Sequence, residues 1–425
     1  MNRLREEAEI ILRNAIEAVL PEPAVQKKLK EIEEEGEFFQ EEGQLVVISF
    51  GKAAWRMAKA AQEELGEKID RGLVITKYGH VEGSLKGFTM IEAGHPLPDH
   101  QSVTGAALAM DLVAALTEND RVVTLVSGGG SALFEKPVEG VTLDSIQSVT
   151  DQLLAKGAEI SEINTIRKRL SAVKGGRFAE ACGKAQMVAI VLSDVLGDRL
   201  DVIASGPMVP DLSLTADALS IAKKYNLKMD DASMNALKED TPKKVSNCRT
   251  IVAGNVNNLC KAAAKSASQL GYKPMILTSS LDCEAREAGR MMASVARELT
   301  SDSNTSFTMT PPCAVILGGE TVVHVTGKGK GGRNQELALA AAFGIQQNDR
   351  VVIMSAGSDG TDGPTDAAGG LVDGKSIQRM KTAGVLPEAR LLDNDSYHAL
   401  KASDDLIMTG PTGTNVNDLM MILCR

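Results

Sequence analysis

Short apolar runs alternate with helical patterns in the first half of the chain. The clearest cases are QLVVISF before GKAAWRMAKAAQEEL, RVVTLV before SGGGSALF, and MVAIVL before SDVLGD. Strands that are apolar throughout and alternate with helices predict a mainly parallel, doubly wound α/β sheet. Ligands of such sheets bind beyond the carboxyl ends of the strands, where the glycine and polar residues of these segments fall.

A second α/β pattern follows the turn-rich and charged stretch 205–248. It contains RTIVAGNVNNL, YKPMILTSS, CAVILGGETVVHVT and DRVVIMSAGSDGTDG. In this part, ETVVHVT alternates like a strand and NQELALAAAFGI has the pattern of a helix. Because 425 residues exceed one ordinary core, we predict two α/β domains, 1–240 and 241–425.

Composition narrows the classes of function. Hydrophobic residues make up 43% and charged residues 24%, which is typical of a soluble globular protein. A net charge of −10 and an aromatic content of 3% argue against a nucleic-acid partner. No stretch predicts a membrane span, and six scattered cysteines favour free thiols, so we expect a cytoplasmic protein.

The segment TGKGKGGRNQELAL, residues 326–339, concentrates glycine and positive charge between a predicted strand and a helix N-terminus. Free N–H groups and the helix dipole favour anions there, and glycines let the backbone approach a ligand closely. We therefore predict that Arg333 and this loop bind phosphate or carboxylate. The loop residues are Gly327, Lys328, Gly329, Lys330, Gly331 and Gly332. A solvated turn is the alternative.

A second glycine cluster, SGGGS, follows the buried strand RVVTLV. Consecutive glycines can turn several N–H groups toward one anion, and the serine hydroxyls add donors. The candidate residues are Ser127, Gly128, Gly129, Gly130 and Ser131. The alternative is a tight turn between strand and helix.

Four further candidates lie at the ends of predicted strands. Lys52 opens a helix, where a lysine is unfavourable unless an anion is present. Asp194 follows MVAIVL and is a candidate base or metal ligand, with helix capping as the alternative. His95 in AGHPLPD and Asn255 in VAGN are candidate binding residues.

Carboxylates are concentrated in GSDGTDGPTDAAGG, which contains Asp359, Asp362 and Asp366. Three carboxylates on one loop suit Mg²⁺, which proteins bind through one or two carboxylates plus substrate phosphates. Asx-turns and a helix cap are the alternatives. Near the end of the chain, PTGTNVNDL precedes an apolar tail and predicts either a ligand loop or the N-cap of a last helix.

Two literal motif matches carry less weight. Gly327, Gly329 and Gly332 satisfy the dinucleotide pattern GxGxxG, but no acid follows at the end of the next strand. The segment GGLVDGKS, residues 369–376, satisfies the P-loop pattern, but a turn-rich loop precedes it where a strand is required.

Over nearly its whole length the chain resembles the class II glycerate 2-kinases. The resemblance rests on an ordered set of motifs: GKAAWRMA, HPLPD, SGGGSA, SDVLGD, GGETVV, GKGKGGRNQELAL, SAGSDGTDGPTDAAG and PTGTNVNDL. It implies ATP-dependent phosphorylation of D-glycerate at the 2-hydroxyl, with a divalent metal. It also implies two α/β domains, the first Rossmann-like, with the active site in the cleft between them and a MOFRL-type segment at about 313–425.

The resemblance assigns the family's critical lysine to Lys52 and its critical arginine to Arg333. Positive side chains and Mg²⁺ suit phosphoryl transfer, which needs mainly positioning and charge stabilisation. The expected partners are D-glycerate and ATP, and a homodimer is the assembly that we consider. Two other functions stay open: a nicotinamide-dependent hydroxypyruvate reductase, a label that some relatives carry, and a non-catalytic protein that binds a phosphorylated metabolite.

Overall fold

The computed structural model describes residues 3–39, 42–301 and 309–425, which form two compact units. The first unit is Pro21–Ala253, and the second joins the described residues up to Leu20 with Gly254–Arg425. The predicted division at residue 240 differs from this in two places. The N-terminal helix belongs to the second unit, and residues 241–253 belong to the first.

The described residues contain helices throughout the chain. They are α1 (Arg3–Glu17), α2 (Pro21–Glu35), α3 (Ala54–Leu65), α4 (His100–Ala114), α5 (Gly130–Leu133), α6 (Leu143–Ala155), α7 (Ile160–Leu170), α8 (Arg177–Ala181), α9 (Thr215–Lys224), α10 (Asp231–Ala236), α11 (Val256–Gln269), α12 (Ala285–Leu299), α13 (Arg333–Gly344), α14 (Ser376–Thr382), α15 (Pro387–Leu392) and α16 (Ser396–Ala402). Short 3₁₀ turns occur at Gly66–Lys68 and Ile203–Ser205. No helix in the described ranges is long and apolar enough to cross a membrane.

The strands form one sheet in each unit. They are β1 (Leu45–Phe50), β2 (Arg71–Lys77), β3 (Phe88–Ala93), β4 (Arg121–Val126), β5 (Gln186–Leu192), β6 (Cys248–Gly254), β7 (Lys273–Leu281), β8 (Cys313–Gly319), β9 (Val351–Gly357), β10 (Gly369–Asp373), β11 (Leu406–Ile407) and β12 (Asp418–Cys424).

The sheet of the first unit has the strand order β3-β2-β1-β4-β5-β6 in the described residues. Parallel pairing joins β3, β2, β1, β4 and β5 in turn. Every residue of β1 and β4 is buried, as expected for central strands that are covered on both faces. This order confirms the predicted Rossmann-like, doubly wound fold, and its switch point for ligand binding lies between β1 and β4.

The sheet of the second unit has the order β11-β10-β9-β12-β8-β7 and is mixed. Among the described strands of this second sheet, only β7 and β8 pair in parallel. The strand β12 runs antiparallel between β8 and β9. The apolar tail of the chain therefore forms the central strand β12, so the predicted last helix is wrong. A tail buried at every position from Asp418 to Cys424 suits a central strand.

The predicted strand ETVVHVT is also wrong. The strand β8 ends at Gly319, and the residues that follow make only an isolated bridge between Glu284 and Val322. Val322 is 50% exposed and Val325 is 76% exposed, and of the three valines only Val323 packs against the core of the second unit. Apolar alternation predicts a strand only where one face is covered.

The helix α1 packs in the second unit although it begins the chain. Its buried face includes Ala8, Ile11 and Leu12, and it contacts α11, β9 and β12. Charged bonds fix its orientation, because Nη1 of Arg5 donates to Asp405 at 2.7 Å. The helix α1 is therefore an integral part of the second unit.

Candidate active site

In the first unit, four predicted site segments meet at one edge of the sheet. Lys52 follows β1, Ser127 follows β4, Asp194 follows β5, and His95 comes two residues after β3. Parallel strands present their carboxyl ends at the same edge, so the fold brings these side chains to the switch point. The loops after β1 and β4 are joined directly, because the Lys52 N–H donates to the Gly128 carbonyl at 2.9 Å.

Gly129 is the position on which the cluster converges. Its φ of +83° lies in the left-handed region that favours glycine. A Cβ at this position would lie 2.9 Å from Cδ2 of His95 and 3.1 Å from Cγ of Lys52. At the neighbouring Gly128, a Cβ would collide with Oδ2 of Asp194. The glycines thus let a lysine, a histidine and a carboxylate approach one stretch of backbone.

The glycine loop keeps backbone donors available. In the described ranges, no hydrogen bond to another protein group leaves the N–H of Gly128 or Gly129. Unsatisfied N–H groups beside a cation form an environment that favours an anion. The prediction that SGGGS binds an anion is therefore compatible with the geometry of its glycines.

Positive charge dominates the surroundings of the loop. Unlike Arg56 and Lys59 further along α3, Lys52 makes no ion pair with a described residue. Burial lowers the pKa of His95 to about 4, and the neighbouring cations Lys52 and Lys77 lower it further. His95 is consequently neutral at pH 7, while Lys52 stays without a carboxylate partner in the part of the chain that the structure describes.

Lys77 and His80 belong to the same cluster, and the sequence analysis missed both. They follow β2, the strand beside β1, and both lower the pKa of His95 through their charge. The ring Nδ1 of His80 lies 3.0 Å from the Lys52 carbonyl. A strand-end lysine carries no distinctive motif, and only the pairing of β2 with β1 brings it to this edge.

The predicted polar ligands Ser127, Ser131 and Asn255 have protein partners. The Ser127 hydroxyl accepts a hydrogen bond from the Ala53 N–H at 3.0 Å. Ser131 Oγ lies 3.1 Å from another hydroxyl oxygen, that of Ser205. Asn255 is the N-cap of α11, where its Oδ1 accepts a hydrogen bond from the Asn258 N–H at 2.8 Å, and its role as a binding residue stays a prediction.

The loop 326–332 is closed by the protein itself. Its N–H groups at Lys328, Gly329 and Lys330 donate to Asp393 or Asp395 at 2.8–3.0 Å. The N–H of Gly327 donates to Oδ1 of Asn394 at 2.9 Å. The N–H groups of 327–330 therefore already have protein acceptors, while an anion-binding role for the side chains of Lys328 and Lys330 and for Gly331 and Gly332 stays a prediction.

The glycines of this loop serve close packing. A Cβ at Gly327 or Gly329 would collide with the segment 393–395, and one at Gly331 would collide with Ser396. A Cβ at Gly332 would collide with the carboxylate of Asp362. Their shared property is thus backbone proximity to another protein segment, and it explains the glycine content without a ligand.

Arg333 is the first residue of α13, and two carboxylates hold its guanidinium. Its Nε and Nη2 donate to Asp418 at 2.6 and 3.0 Å, and Nη1 donates to Glu320 at 2.8 Å. Burial lowers the pKa of Arg333, but the bond to Asp418 outweighs it, so the pKa is raised overall. Glu320 lies in the motif GGETVV and Asp418 in PTGTNVNDL, and neither motif predicts this pairing with Arg333.

The three carboxylates of the predicted metal loop have separate partners. Asp362 accepts hydrogen bonds from the backbone N–H groups of Asn334 and Gln335 at 3.2 and 2.9 Å. Asp366 accepts one from the Tyr397 hydroxyl, and Asp359 accepts one from the Thr361 N–H. No group of three His, Cys, Asp or Glu side chains in the described residues is arranged to hold a metal, so the trio does not form the predicted site.

Asp362 occupies the helix N-terminus at which the sequence analysis predicted a bound anion. Burial raises the pKa of Asp362 to about 6, although the N–H donors of Gln335 and Asn334 oppose this. The anion at the start of α13 is therefore a carboxylate of the protein.

The fold and the cluster define an α/β protein with a Rossmann-like unit that brings Lys52, His95 and Asp194 together at its switch point. Residues 7–238 match the family described as a domain of unknown function, DUF4147, and residues 313–418 match the MOFRL family. The chain belongs to the DUF4147 family and carries a C-terminal MOFRL domain.

The chain is similar to proteins of known name over most of its length. D-glycerate 2-kinase of Thermotoga maritima is 51% identical over 97% of this chain and 96% of its own length. A protein of Agrobacterium vitis that is named "Putative hydroxypyruvate reductase" is 39% identical over 90% of this chain and 87% of its own. A crystal structure of glycerate kinase from T. maritima is 50% identical and superposes with a TM-score of 0.95 over all of both chains.

Proposed function

We propose that this protein is a glycerate 2-kinase that transfers the γ-phosphoryl group of ATP to the 2-hydroxyl of D-glycerate. The observation that carries the proposal is the cluster at the switch point of the first sheet. There, Lys52 has no ion-pair partner among the described residues and packs beside Gly129, whose N–H makes no hydrogen bond to any of those residues. The relatives named as glycerate kinases support the same activity.

Each group of the cluster has a role that suits phosphoryl transfer. The Lys52 ammonium and the N–H groups of Gly128 and Gly129 stabilise negative charge on the transferred group. Asp194, the carboxylate beside Gly128, accepts the proton of the substrate hydroxyl as its oxygen bonds to phosphorus and the ADP oxygen leaves. His95, neutral at pH 7, is a hydrogen-bond partner that adds no charge.

We propose Mg²⁺ as the accompanying metal, because it neutralises and orients the phosphates of ATP when bound. Mg²⁺ in such enzymes needs only one or two carboxylates besides the phosphates, so a three-residue metal cluster is not required. Asp194 is the carboxylate of the cluster and fits this donor set. The loop with Asp359, Asp362 and Asp366 fits less well, because its three carboxylates bond to separate partners and do not converge on one point.

We propose that Arg333 binds an anionic group of a substrate through the N–H groups that its carboxylate partners leave. A guanidinium has five N–H donors, and the bonds to Asp418 and Glu320 use three of them. The side chain is 34% exposed, so the remaining donors are accessible. Its two ion pairs fix the orientation of the fork.

A nicotinamide-dependent reductase is less well supported. A dinucleotide site requires its glycine fingerprint in the turn after the first strand of a Rossmann-like sheet. The turn after β1 contains Gly51 and Lys52 but no GxGxxG pattern. The matching residues 327–332 belong to the other unit and are packed against 393–396.

One experiment tests the proposal: incubation with ATP, Mg²⁺ and D-glycerate, followed by identification of the product by phosphorus NMR. We expect 2-phosphoglycerate. A 3-phosphoglycerate product would contradict the regiochemistry, and oxidation of NADH by hydroxypyruvate without ATP would support a reductase. Binding without turnover would support a metabolite-binding protein. A homodimer stays a prediction, which sedimentation velocity would test.

A further inference from the structure

A polar cluster that the sequence analysis did not single out adjoins the SGGGS loop. Its members are Ser131, Asn164, Arg167 and Ser205, which we call the α7 cluster. Nη2 of Arg167 donates to the Ser131 carbonyl at 3.0 Å, and the Ser205 hydroxyl donates to Oδ1 of Asn164 at 3.0 Å. Asn164 and Arg167 are three residues apart on α7 and therefore share one face of the helix.

The α7 cluster has an excess of positive charge. Glu135 pairs with Lys174 at 2.9 Å, and both side chains are fully buried. Arg167 is a second cation near the Glu135 carboxylate. Burial lowers the pKa of Arg167, and the negative charge of Glu135 opposes that lowering. Two cations for one carboxylate leave one positive charge uncompensated among these three side chains. Arg167 is only partly buried, so an anion from solution can reach this charge.

Donors of the α7 cluster are left without protein partners. In the described ranges, the Arg167 guanidinium makes one hydrogen bond, and its buried Nε makes none. Asn164 is 4% exposed and uses its amide oxygen for Ser205, while its NH₂ group donates to no described residue. Among these donors only Nε of Arg167 is buried without a partner, so the Asn164 amide and the other unused N–H groups of Arg167 are open to an acceptor from solution.

We infer that Arg167 and Asn164 bind the carboxylate of the hydroxy-acid substrate. The inference rests on the proposed function, because it takes glycerate as that substrate. A carboxylate is a planar monoanion that matches the geometry of a guanidinium, and its single charge matches the excess in the α7 cluster. The terminal phosphates of ATP carry more charge and are assigned to Lys52 and the N–H groups of Gly128 and Gly129.

The assignment makes the identity of the substrate group testable. The variants are Arg167→Gln, which removes the charge, and Asn164→Asp, which keeps the acceptor for Ser205 but adds a negative charge. The substrates are D-glycerate and its uncharged primary amide, glyceramide. For both variants we expect kcat/KM for D-glycerate to fall about 10- to 100-fold, the range for a lost hydrogen bond to a charged group. We expect kcat/KM for glyceramide and KM for ATP to change less than about twofold, because neither involves the carboxylate.

Arg177→Gln is the matched control. Arg177 is another partly buried arginine of the first unit that donates to backbone carbonyls, including that of Ser171 at 2.6 Å. Its loss is expected to lower stability without changing the ratio of kcat/KM for D-glycerate to that for glyceramide. An unchanged ratio in Arg167→Gln and Asn164→Asp, or a rise in KM for ATP in place of glycerate, would overturn the inference.

Two measurements separate this inference from the proposed function. If the wild-type protein does not phosphorylate D-glycerate, the proposed function fails. Calorimetric titration with D-glycerate and glyceramide then still tests the subsite, because binding requires no turnover. The subsite is supported if Asn164→Asp binds D-glycerate more weakly than the wild type does but binds glyceramide equally well. It is refuted if the variant and the wild type bind D-glycerate equally well. If Arg167→Gln does not fold, the isosteric Asn164→Asp variant decides the question.

Discussion

Replacing Lys52 by methionine tests the electrostatics of the proposed active site. Methionine keeps most of the side-chain volume but removes the charge. Because Lys52 is partly exposed and has no ion-pair partner in the described residues, we expect the free energy of unfolding to change by less than about 0.5 kcal/mol. A stability effect and an activity effect can therefore be told apart at this position.

The magnitude of the activity loss follows from Coulomb's law. Two unit charges about 4 Å apart interact with about 4 kcal/mol at an effective dielectric constant of about 20. Each 1.4 kcal/mol corresponds to about tenfold, so kcat/KM is expected to fall by up to about 10³-fold. Lys77 and the backbone N–H groups share the stabilisation of the anion, which makes this figure an upper value.

The assay couples 2-phosphoglycerate formation to pyruvate production and NADH oxidation. Lys59→Met is the matched control, because Lys59 is on α3, the helix that follows Lys52, and its Nζ lies 5.7 Å from the ring centroid of Trp55. A second readout needs no turnover. Lys52 lowers the pKa of His95, so Lys52→Met should raise that pKa from about 4 toward 6.5 in an NMR titration. Wild-type kinetics together with an unshifted His95 pKa would refute the assignment of Lys52 to the anion site.

Four further outcomes are expected. Gly129→Ala should lower kcat/KM for ATP, because a Cβ would press on His95 and Lys52 and a left-handed φ is unfavourable for alanine; near-normal kinetics would contradict the packing described. Arg333→Ala should destabilise the second unit by about 3–5 kcal/mol in urea unfolding, because it leaves the Asp418 carboxylate buried and unpaired; an unchanged unfolding midpoint would count against a structural ion pair. Stability should fall as pH decreases from 6.5 to 4, because the folded state keeps His95 neutral while the unfolded state binds a proton; the His95→Gln variant should lose this part of the pH dependence. Removal of divalent metal with EDTA should abolish turnover and excess Mg²⁺ should restore it, and full activity in EDTA would exclude the proposed metal requirement.

Much of the first unit was predictable from sequence because its central strands are apolar on both faces. LVVISF and RVVTLV are buried at every position, so their pattern left only the order of pairing open. The second unit was less predictable. Its sheet is mixed, and the central strand β12 comes from the end of the chain. Pairing between segments more than about 60 residues apart leaves no periodicity that a local pattern could reveal.

The two glycine loops differ in how many of their backbone N–H groups the protein itself uses, although their compositions are similar. Both precede helices, but only SGGGS directly follows a strand. In SGGGS, the N–H groups of Gly128 and Gly129 stay without protein partners in the described residues. In the loop 326–332, the corresponding groups are used by Asp393, Asn394 and Asp395. The difference depends on a distant segment, which the loop sequence does not identify.

The N-terminus of α13, at Arg333, is likewise occupied by a group from a distant segment of the chain. The physical expectation was sound, because free N–H groups at the start of α13 do bind an anion. That anion is the Asp362 carboxylate, which lies in the loop where the sequence predicted a metal. Asp362 thus bears on two predictions. It accepts hydrogen bonds from the N–H groups of α13 that were expected to bind phosphate, and it is one of the three carboxylates that were expected to bind Mg²⁺. Lys52 differs from the N-terminus of α13 because no carboxylate of the described residues forms an ion pair with it. The charge of Lys52 is therefore a better indicator of a bound ligand than the N–H groups of α13 are.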